Sequence, residues 1–109
     1  MKIESTCLPP PKVFQSASFE VPRHACDTHA HVVSADTMAY PLVPNRSYTP
    51  VPATEADYLA MLDATGMDRG VLVQISVYGQ DNRYLLEVLR RHPHRLRGIG
   101  VVAPEVPER

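Results

Sequence analysis

Residues 25–33 read ACDTHAHVV, a short stretch that is rich in residues common in β-strands and follows soon after Pro22. The pattern predicts a strand. Because successive side chains of a strand point to opposite faces, we expect Asp27, His29 and His31 to share one face. Both imidazoles can then reach one target, so this strand carries the most informative candidate residues of the chain.

Two segments further along the chain have helical patterns. The first begins at Thr54, whose hydroxyl can accept a hydrogen bond from a free amide, and ends at Gly66, which suits a left-handed cap. The second begins at Asp81 or Asn82, carries an apolar stripe of leucines, and ends before Pro93. Both segments are therefore predicted to be helices.

Two more segments predict strands. Residues 71–77 are nearly all β-branched or apolar, which is typical of a strand covered on both faces of a parallel sheet. Residues 96–102 give a third strand. Since helices alternate with strands, we expect an α/β fold of β-α-β-α-β order, with a parallel sheet and right-handed crossovers.

Alternation along residues 71–77 separates two faces of this strand. The odd-numbered residues are all apolar, whereas the even-numbered residues become polar toward the carboxyl end, at Gln74 and Ser76. In a parallel barrel we expect the apolar face to pack under helices and the polar face to point into the barrel mouth, where active sites form. Gln74 and Ser76 are thus candidate substrate contacts; the alternative for Ser76 is an ordinary buried hydroxyl bonded to backbone.

The composition restricts the class of protein. The 109 residues are 44% hydrophobic and 21% charged, as in a globular domain, and their formal net charge is −1. This balance gives no electrostatic basis for binding nucleic acid or an anionic membrane, and no apolar run is long enough to span a bilayer. Cys7 and Cys26 lack CxxC spacing and the first residues lack the apolar core of a signal peptide, so we expect a cytoplasmic protein.

The prolines indicate the domain organisation. Residues 1–23 have no clean periodicity and are predicted to form an extended N-terminal arm, which leaves residues 24–109 as the domain. Several prolines also make residues 34–53 a long loop, and loops of this length in compact domains are usually functional or disordered. A complete (β/α)₈ barrel needs about 250 residues, so the chain is too short for one.

The pair His29 and His31 is the sharpest candidate site. Two imidazoles side by side commonly begin a site for zinc or another divalent metal, but a catalytic zinc needs a third protein ligand and an open position. The alternative is that both are polar surface or satisfied core histidines. His92 and His94, by contrast, flank Pro93 among arginines that disfavour a metal cation, so we expect a structural role for them.

The order of several blocks carries a family resemblance. DTHAHV on the first strand, a proline-rich loop, the strand VLVQIS and GQDNR before a helix resemble the start of the amidohydrolase-related (amidohydrolase 2) family of barrel hydrolases. The loop block NRSYTP at residues 45–50, with Gln74 and Ser76, is similar to the branch that contains 2-pyrone-4,6-dicarboxylate lactonase. The resemblance runs from about residue 24 to residue 104. It implies that residues 24–109 are the N-terminal β-α-β-α-β part of a (β/α)₈ TIM-barrel domain, truncated in this chain.

The resemblance also implies a chemistry. His29 and His31 either bind one divalent metal, Zn or Mn, or polarise a carbonyl without a metal, as in the lactonase branch. Tyr48 and Ser76 match positions that hold a substrate carboxylate, with Gln74 as a further contact. The aspartate base expected at the last strand has no counterpart in the chain. We therefore expect a parent that hydrolyses a lactone or related carbonyl bond of a small anionic, dicarboxylate-like substrate, and no activity from these 109 residues alone.

Two other interpretations stay open at this point. D-x-H-x-H also opens PHP-class phosphoesterases, which would need further His, Asp and Glu ligands downstream. Alternatively, the chain is a non-catalytic fragment or a ligand-binding module. The chain stops where a third helix should begin, and three parallel strands leave two unpaired edges, so we expect the isolated chain to be marginally stable or aggregation-prone.

Overall fold

The computed structural model describes residues 8–107, which form a small parallel sheet with helices. In chain order the elements are β1 (Cys26–Ala30), α1 (Glu55–Thr65), β2 (Arg69–Val73), the 3₁₀ helix Ser76–Tyr78, α2 (Arg83–Arg91) and β3 (Leu96–Ile99). The sheet has the order β1-β2-β3, and both pairings are parallel, as expected for the predicted α/β class. Among residues 8–107, no helix combines the length and apolar character needed to cross a membrane.

Helix α1 begins and ends where the sequence predicts. The Thr54 hydroxyl accepts from the amide of Asp57 at 3.3 Å, and the Asp57 carboxylate accepts from the amide of Thr54 at 3.0 Å. This reciprocal capping box satisfies two amides that the helix leaves without partners. Gly66 ends the helix with a φ of 80°, which glycine adopts without steric cost.

The predicted N-terminal arm lies partly within the described residues. Residues 1–7, including Cys7, fall outside them. The following residues, up to His24, contain no helix or strand, and Lys12 forms an ion pair with Asp57 of α1 at 2.8 Å. The arm therefore contacts the domain at the start of α1.

All three strands are shorter than predicted. β1 ends at Ala30, and Val33 instead forms an antiparallel bridge with Ala53, which closes the base of the long loop. β2 ends at Val73, after which the chain turns into the 3₁₀ helix and buries Val77. β3 ends at Ile99, because the backbone that follows bonds to the side chain of Asn82, just before α2, instead of to a strand.

The face of β2 that packs under the helices is the opposite one from the face that the sequence predicts. A Cβ added to Gly70 would lie 2.0 Å from the hydroxyl oxygen of Tyr58 on α1, so position 70 faces that helix. Leu72 is fully buried, and its β3 partner Gly98 faces Leu89 of α2. The even-numbered positions thus pack under the helices, because glycine on the strands leaves room for the bulky side chains that the helices contribute.

The hydrophobic core lies between the sheet and the helices. Its fully buried side chains are Leu62, Leu72, Val77, Val88 and Leu96. The opposite face of the sheet is less covered: Val71 and Val73 are half-buried, and Ile99 is 57% exposed. Within the described part of the chain, the outer edges of β1 and β3 pair with no further strand. The sheet therefore presents an open, partly apolar face.

Candidate active site

A register shift in β1, between Asp27 and Ala30, includes the first of the two predicted histidines. Residues 27–30 of β1 pair with residues 70–72 of β2, so β1 uses one residue more than β2 over this interval. The imidazole rings of His29 and His31 lie edge to face, with their centroids 5.2 Å apart. Both side chains are exposed. The two imidazoles therefore lie next to each other at the carboxyl end of β1.

Asp27 does not share a face with the histidines, which corrects the expectation from strict alternation. Its Oδ2 accepts a hydrogen bond of 2.9 Å from the Tyr58 hydroxyl of α1. Gly70 leaves the space that this phenol occupies. Burial, and after it the hydrogen bond to Asp27, raises the pKa of Tyr58, so the phenol stays protonated and able to donate. The pair thereby fixes the amino end of β1 against the helix.

The backbone of β2 orients the His31 ring. Nδ1 of His31 lies 2.8 Å from the carbonyl oxygen of Val73. A carbonyl can only accept, so Nδ1 carries a proton and donates it. In the neutral ring Nε2 then has a lone pair, which can bind a metal, whereas donation from Nε2 to a substrate oxygen requires the doubly protonated ring. The Val73 carbonyl therefore fixes the orientation of the His31 ring.

Tyr48 of the long loop meets His31 at one cavity. The cavity has a volume of about 280 Å³, and its other walls are mostly apolar. They include Leu8 and Pro10 from the arm and Ile75 from the segment after β2. An apolar pocket with a few polar groups is the usual form of a small-molecule site. The structure therefore brings two of the predicted site residues to one concave surface.

Ser76 and Gln74 have different surroundings. Ser76 begins the 3₁₀ helix, is exposed, and directly follows Ile75 of the cavity wall. Gln74 is 8% exposed, and its Nε2 donates to the carbonyls of Gly79 and Asp81 at 3.1 and 2.8 Å. Gln74 therefore holds the loop before α2 in place, a role that alternation along β2 did not indicate.

His92 and His94 lie outside the candidate site. His92 and Arg91 both contact the carboxylate of Glu55 at the start of α1. The hydrogen bond from Arg91, with a further one from His92, lowers the pKa of Glu55. His94 is exposed. As predicted, His92 is structural, since it joins the end of α2 to the start of α1.

The residues of this chain fit a divalent metal only in part. His29 and His31 provide two ligands of a type that zinc prefers, and the lone pair on Nε2 of a neutral His31 suits coordination. Within residues 8–107, no group of three or more His, Cys, Asp or Glu side chains is placed to hold a metal ion. A complete metal site would therefore need a ligand from beyond the described residues.

Comparison with known families decides the class of this protein. The amidohydrolase family model matches residues 26–109, a span that begins with β1 and includes both histidines. The chain belongs to the amidohydrolase family. Amidohydrolases of this group are hydrolases of the TIM-barrel type, and the parallel sheet with helices described above agrees with a part of that fold.

Curated relatives of this amidohydrolase chain are lactone hydrolases. It is 40% identical over 82 residues to a 4-sulfomuconolactone hydrolase of Rhizobium radiobacter, an alignment that covers 75% of the chain and 27% of the relative. It is 32% identical over 106 residues to the 4-sulfomuconolactone hydrolase of Hydrogenophaga intermedia, covering 97% and 35%. A 2-pyrone-4,6-dicarboxylate hydrolase of Comamonas testosteroni is 32% identical over 90 residues, covering 83% and 29%. The chain thus spans about a third of the length of these relatives.

Solved structures of the same group have a similar fold. A protein from Acinetobacter baumannii described as a 2-pyrone-4,6-dicarboxylic acid hydrolase, with citric acid bound, matches with a TM-score of 0.71 and 34% identity; the match covers 77% of this chain and 31% of that one. A protein from Pseudomonas putida with the same description matches with a TM-score of 0.68 and 39% identity, covering 80% and 31%. The described chain therefore has the fold of one part of these larger amidohydrolases.

Proposed function

We propose that this amidohydrolase chain provides the first part of a lactone-hydrolysing active site for a small, dicarboxylate-like substrate. The observation that carries the proposal is the His29–His31 pair, which lies beside the Tyr48 cavity. The names of the relatives, and the citric acid bound to one structural neighbour, support a carboxylate-bearing lactone as the substrate class.

The two histidines would stabilise charge on the lactone carbonyl. Hydrolysis converts the carbonyl oxygen into an oxyanion, and groups that are already oriented toward that oxygen lower the barrier most. The bond from His31 to the Val73 carbonyl provides such orientation, because it fixes the ring before substrate arrives. A divalent metal held by both imidazoles would act as a Lewis acid on the same carbonyl and lower the pKa of a bound water.

Tyr48 and Ser76 would hold a carboxylate of the substrate. Tyr48 lines the same cavity as His31, and Ser76 follows Ile75 at the cavity wall. Their hydroxyls can donate to a carboxylate and so align the carbonyl with the histidines. Gln74, which was predicted as a direct contact, would act by holding the loop of residues 79–81. The apolar walls of the cavity would limit access of bulk water.

The proton acceptor for the attacking water would come from outside these 109 residues. The carboxylates of α1 do not serve, because Glu55 pairs with Arg91 and Asp57 belongs to the capping box. We therefore propose that the chain alone binds substrate without hydrolysing it. No observation favours a PHP-class phosphoesterase, because the family match is to amidohydrolases and the named relatives are lactone hydrolases.

The test uses a protein of the relatives' length that contains this chain. His29→Ala and His31→Ala should each reduce hydrolysis of 2-pyrone-4,6-dicarboxylate or 4-sulfomuconolactone by about a hundredfold or more, which is the usual effect of losing one charge-stabilising group. His94→Ala is the matched control, because it removes an exposed imidazole away from the cavity. Unchanged kcat/KM in both site variants would reject the proposed site, and absent turnover of either lactone by the parent would reject the substrate class.

A further inference from the structure

The long loop is tied to the 3₁₀ helix before the chain reaches Tyr48. The amide of Val43 donates to the carbonyl of Val77 at 2.8 Å. Val77 belongs to the 3₁₀ helix Ser76–Tyr78, whose first residue is one of the two proposed carboxylate contacts. A Cβ added to Gly79 would lie 3.1 Å from a methyl carbon of Val43, so the two segments also pack closely. The other proposed contact, Tyr48, lies on the loop just beyond this tie.

Arg46 bridges the part of the loop that presents Tyr48. Its Nη1 donates to the carbonyl of Val43 at 3.0 Å, and its Nε donates to the hydroxyl of Thr49 at 3.1 Å. The guanidinium is planar and rigid, so the two bonds together fix the spacing between their acceptors. Arg46 is half-buried. Because Thr49 directly follows Tyr48, the bridge holds the backbone on both sides of the segment that carries the phenol.

The backbone of this segment has fewer donors than a loop usually has. Pro44, Pro50 and Pro52 lack an N–H, so they cannot donate to a turn or to a strand. A side chain with several donors replaces part of what the backbone lacks. Both acceptors of the Arg46 bonds are neutral oxygens of the same loop. The bridge is thus complete within residues 43–49, and it needs no group from another part of the parent protein.

We propose that Arg46 is a positioning residue that fixes Tyr48 relative to Ser76, a role that rests on the proposed function of both hydroxyls in holding a substrate carboxylate. The bridge joins Tyr48 to Val43, and Val43 is tied to the helix that Ser76 begins. A loop that is already ordered loses less conformational freedom when ligand binds, so binding is stronger. Arg46 therefore acts on the substrate through Tyr48.

The test is a double-mutant cycle in a protein of the relatives' length that contains this chain. Arg46→Met and Tyr48→Phe should each lower kcat/KM for 2-pyrone-4,6-dicarboxylate by about tenfold, because each removes the same hydrogen bond to a charged carboxylate. The double variant should also fall by about tenfold, whereas independent effects would multiply to about a hundredfold. A hundredfold loss would overturn the proposal, since Arg46 would then act on the substrate or on the fold without Tyr48.

Three further variants isolate the bridge itself. Thr49→Val removes the hydroxyl that accepts from Nε and keeps the shape of the side chain, so we expect a loss of about threefold, with no further loss on top of Arg46→Met. Arg46→Lys keeps the charge without the fork, and full activity in this variant would contradict the bridge. Arg90→Met is the matched control at an exposed position of α2, and it should keep wild-type kcat/KM.

The order of the loop without substrate distinguishes the role of Arg46 from the proposed function. In NMR relaxation of the same protein, the backbone order parameter of Tyr48 should fall from about 0.85 to about 0.6 in Arg46→Met, while that of Ser76 stays unchanged. A parent that hydrolyses neither lactone would reject the proposed function, and the order parameter would still decide the role of Arg46. An equally ordered Tyr48 in Arg46→Met and in the wild type would overturn the proposal.

Discussion

The hydrogen bond between Tyr58 and Asp27 should stabilise the strand that carries the histidines. Tyr58→Phe removes only the hydroxyl that donates to Asp27 Oδ2 at 2.9 Å, while the buried ring stays in place. A hydrogen bond to a charged acceptor is worth about 1.5–3 kcal/mol, and the Asp27 carboxylate would lose this donor at a half-buried position. That loss is a large fraction of the total stability of a small domain.

Urea unfolding monitored by circular dichroism measures this effect. We expect Tyr58→Phe to lower the free energy of unfolding by about 1.5–3 kcal/mol, and to weaken the contacts between the His29 and His31 rings in NMR spectra. Tyr40→Phe is the matched control, because within residues 8–107 the Tyr40 hydroxyl makes no hydrogen bond. Wild-type stability and ring contacts in Tyr58→Phe would refute the anchoring role.

Three further predictions concern pH, packing and metal. Arg91 lowers the pKa of Glu55, so the ionised carboxylate stabilises the fold at pH values above its usual pKa of 4.5. This contribution is lost as the pH falls through the lower folded-state pKa. The urea midpoint of Glu55→Gln should therefore lie below that of the wild type at neutral pH and converge with it in acid. Gly70→Ala should lower the free energy of unfolding by about 1–3 kcal/mol in the same assay. Gly98→Ala should lower it by less, because its new Cβ meets only the movable end of a leucine side chain. Equal losses of stability, or a larger loss in Gly98→Ala, would contradict the packing described. Isothermal titration of the isolated chain with zinc should give weak binding that His29→Ala weakens further, and one tight zinc per chain would show a complete site.

The sequence predicts the helices better than the strands. The capping box at Thr54 and the left-handed Gly66 are local signals, so they place α1 without knowledge of its neighbours. The ends of the strands depend on partners far along the chain. β3 stops where the Asn82 side chain takes the backbone groups of Val101, and strand propensity alone does not report such a competitor.

The site was predictable where it depends on one segment, and not where it depends on tertiary contacts. The pairing of His29 and His31 follows from their spacing, but the register shift between Asp27 and Ala30 and the bond from Tyr58 to Asp27 are tertiary features that the spacing does not report. The same reason explains the reversed faces of β2: which face meets a helix is decided by where glycine leaves space. The signal that could have located Tyr58 is a lone tyrosine on the apolar side of α1, which requires a partner for its hydroxyl.

The most direct test of the proposed active site is a crystal structure of a protein of the relatives' length containing this chain, with 2-pyrone-4,6-dicarboxylate bound. We predict that the lactone carbonyl lies at His29 and His31, directly or through a metal, and that a carboxylate of the ligand contacts Tyr48 and Ser76. A ligand bound away from both histidines would contradict the account.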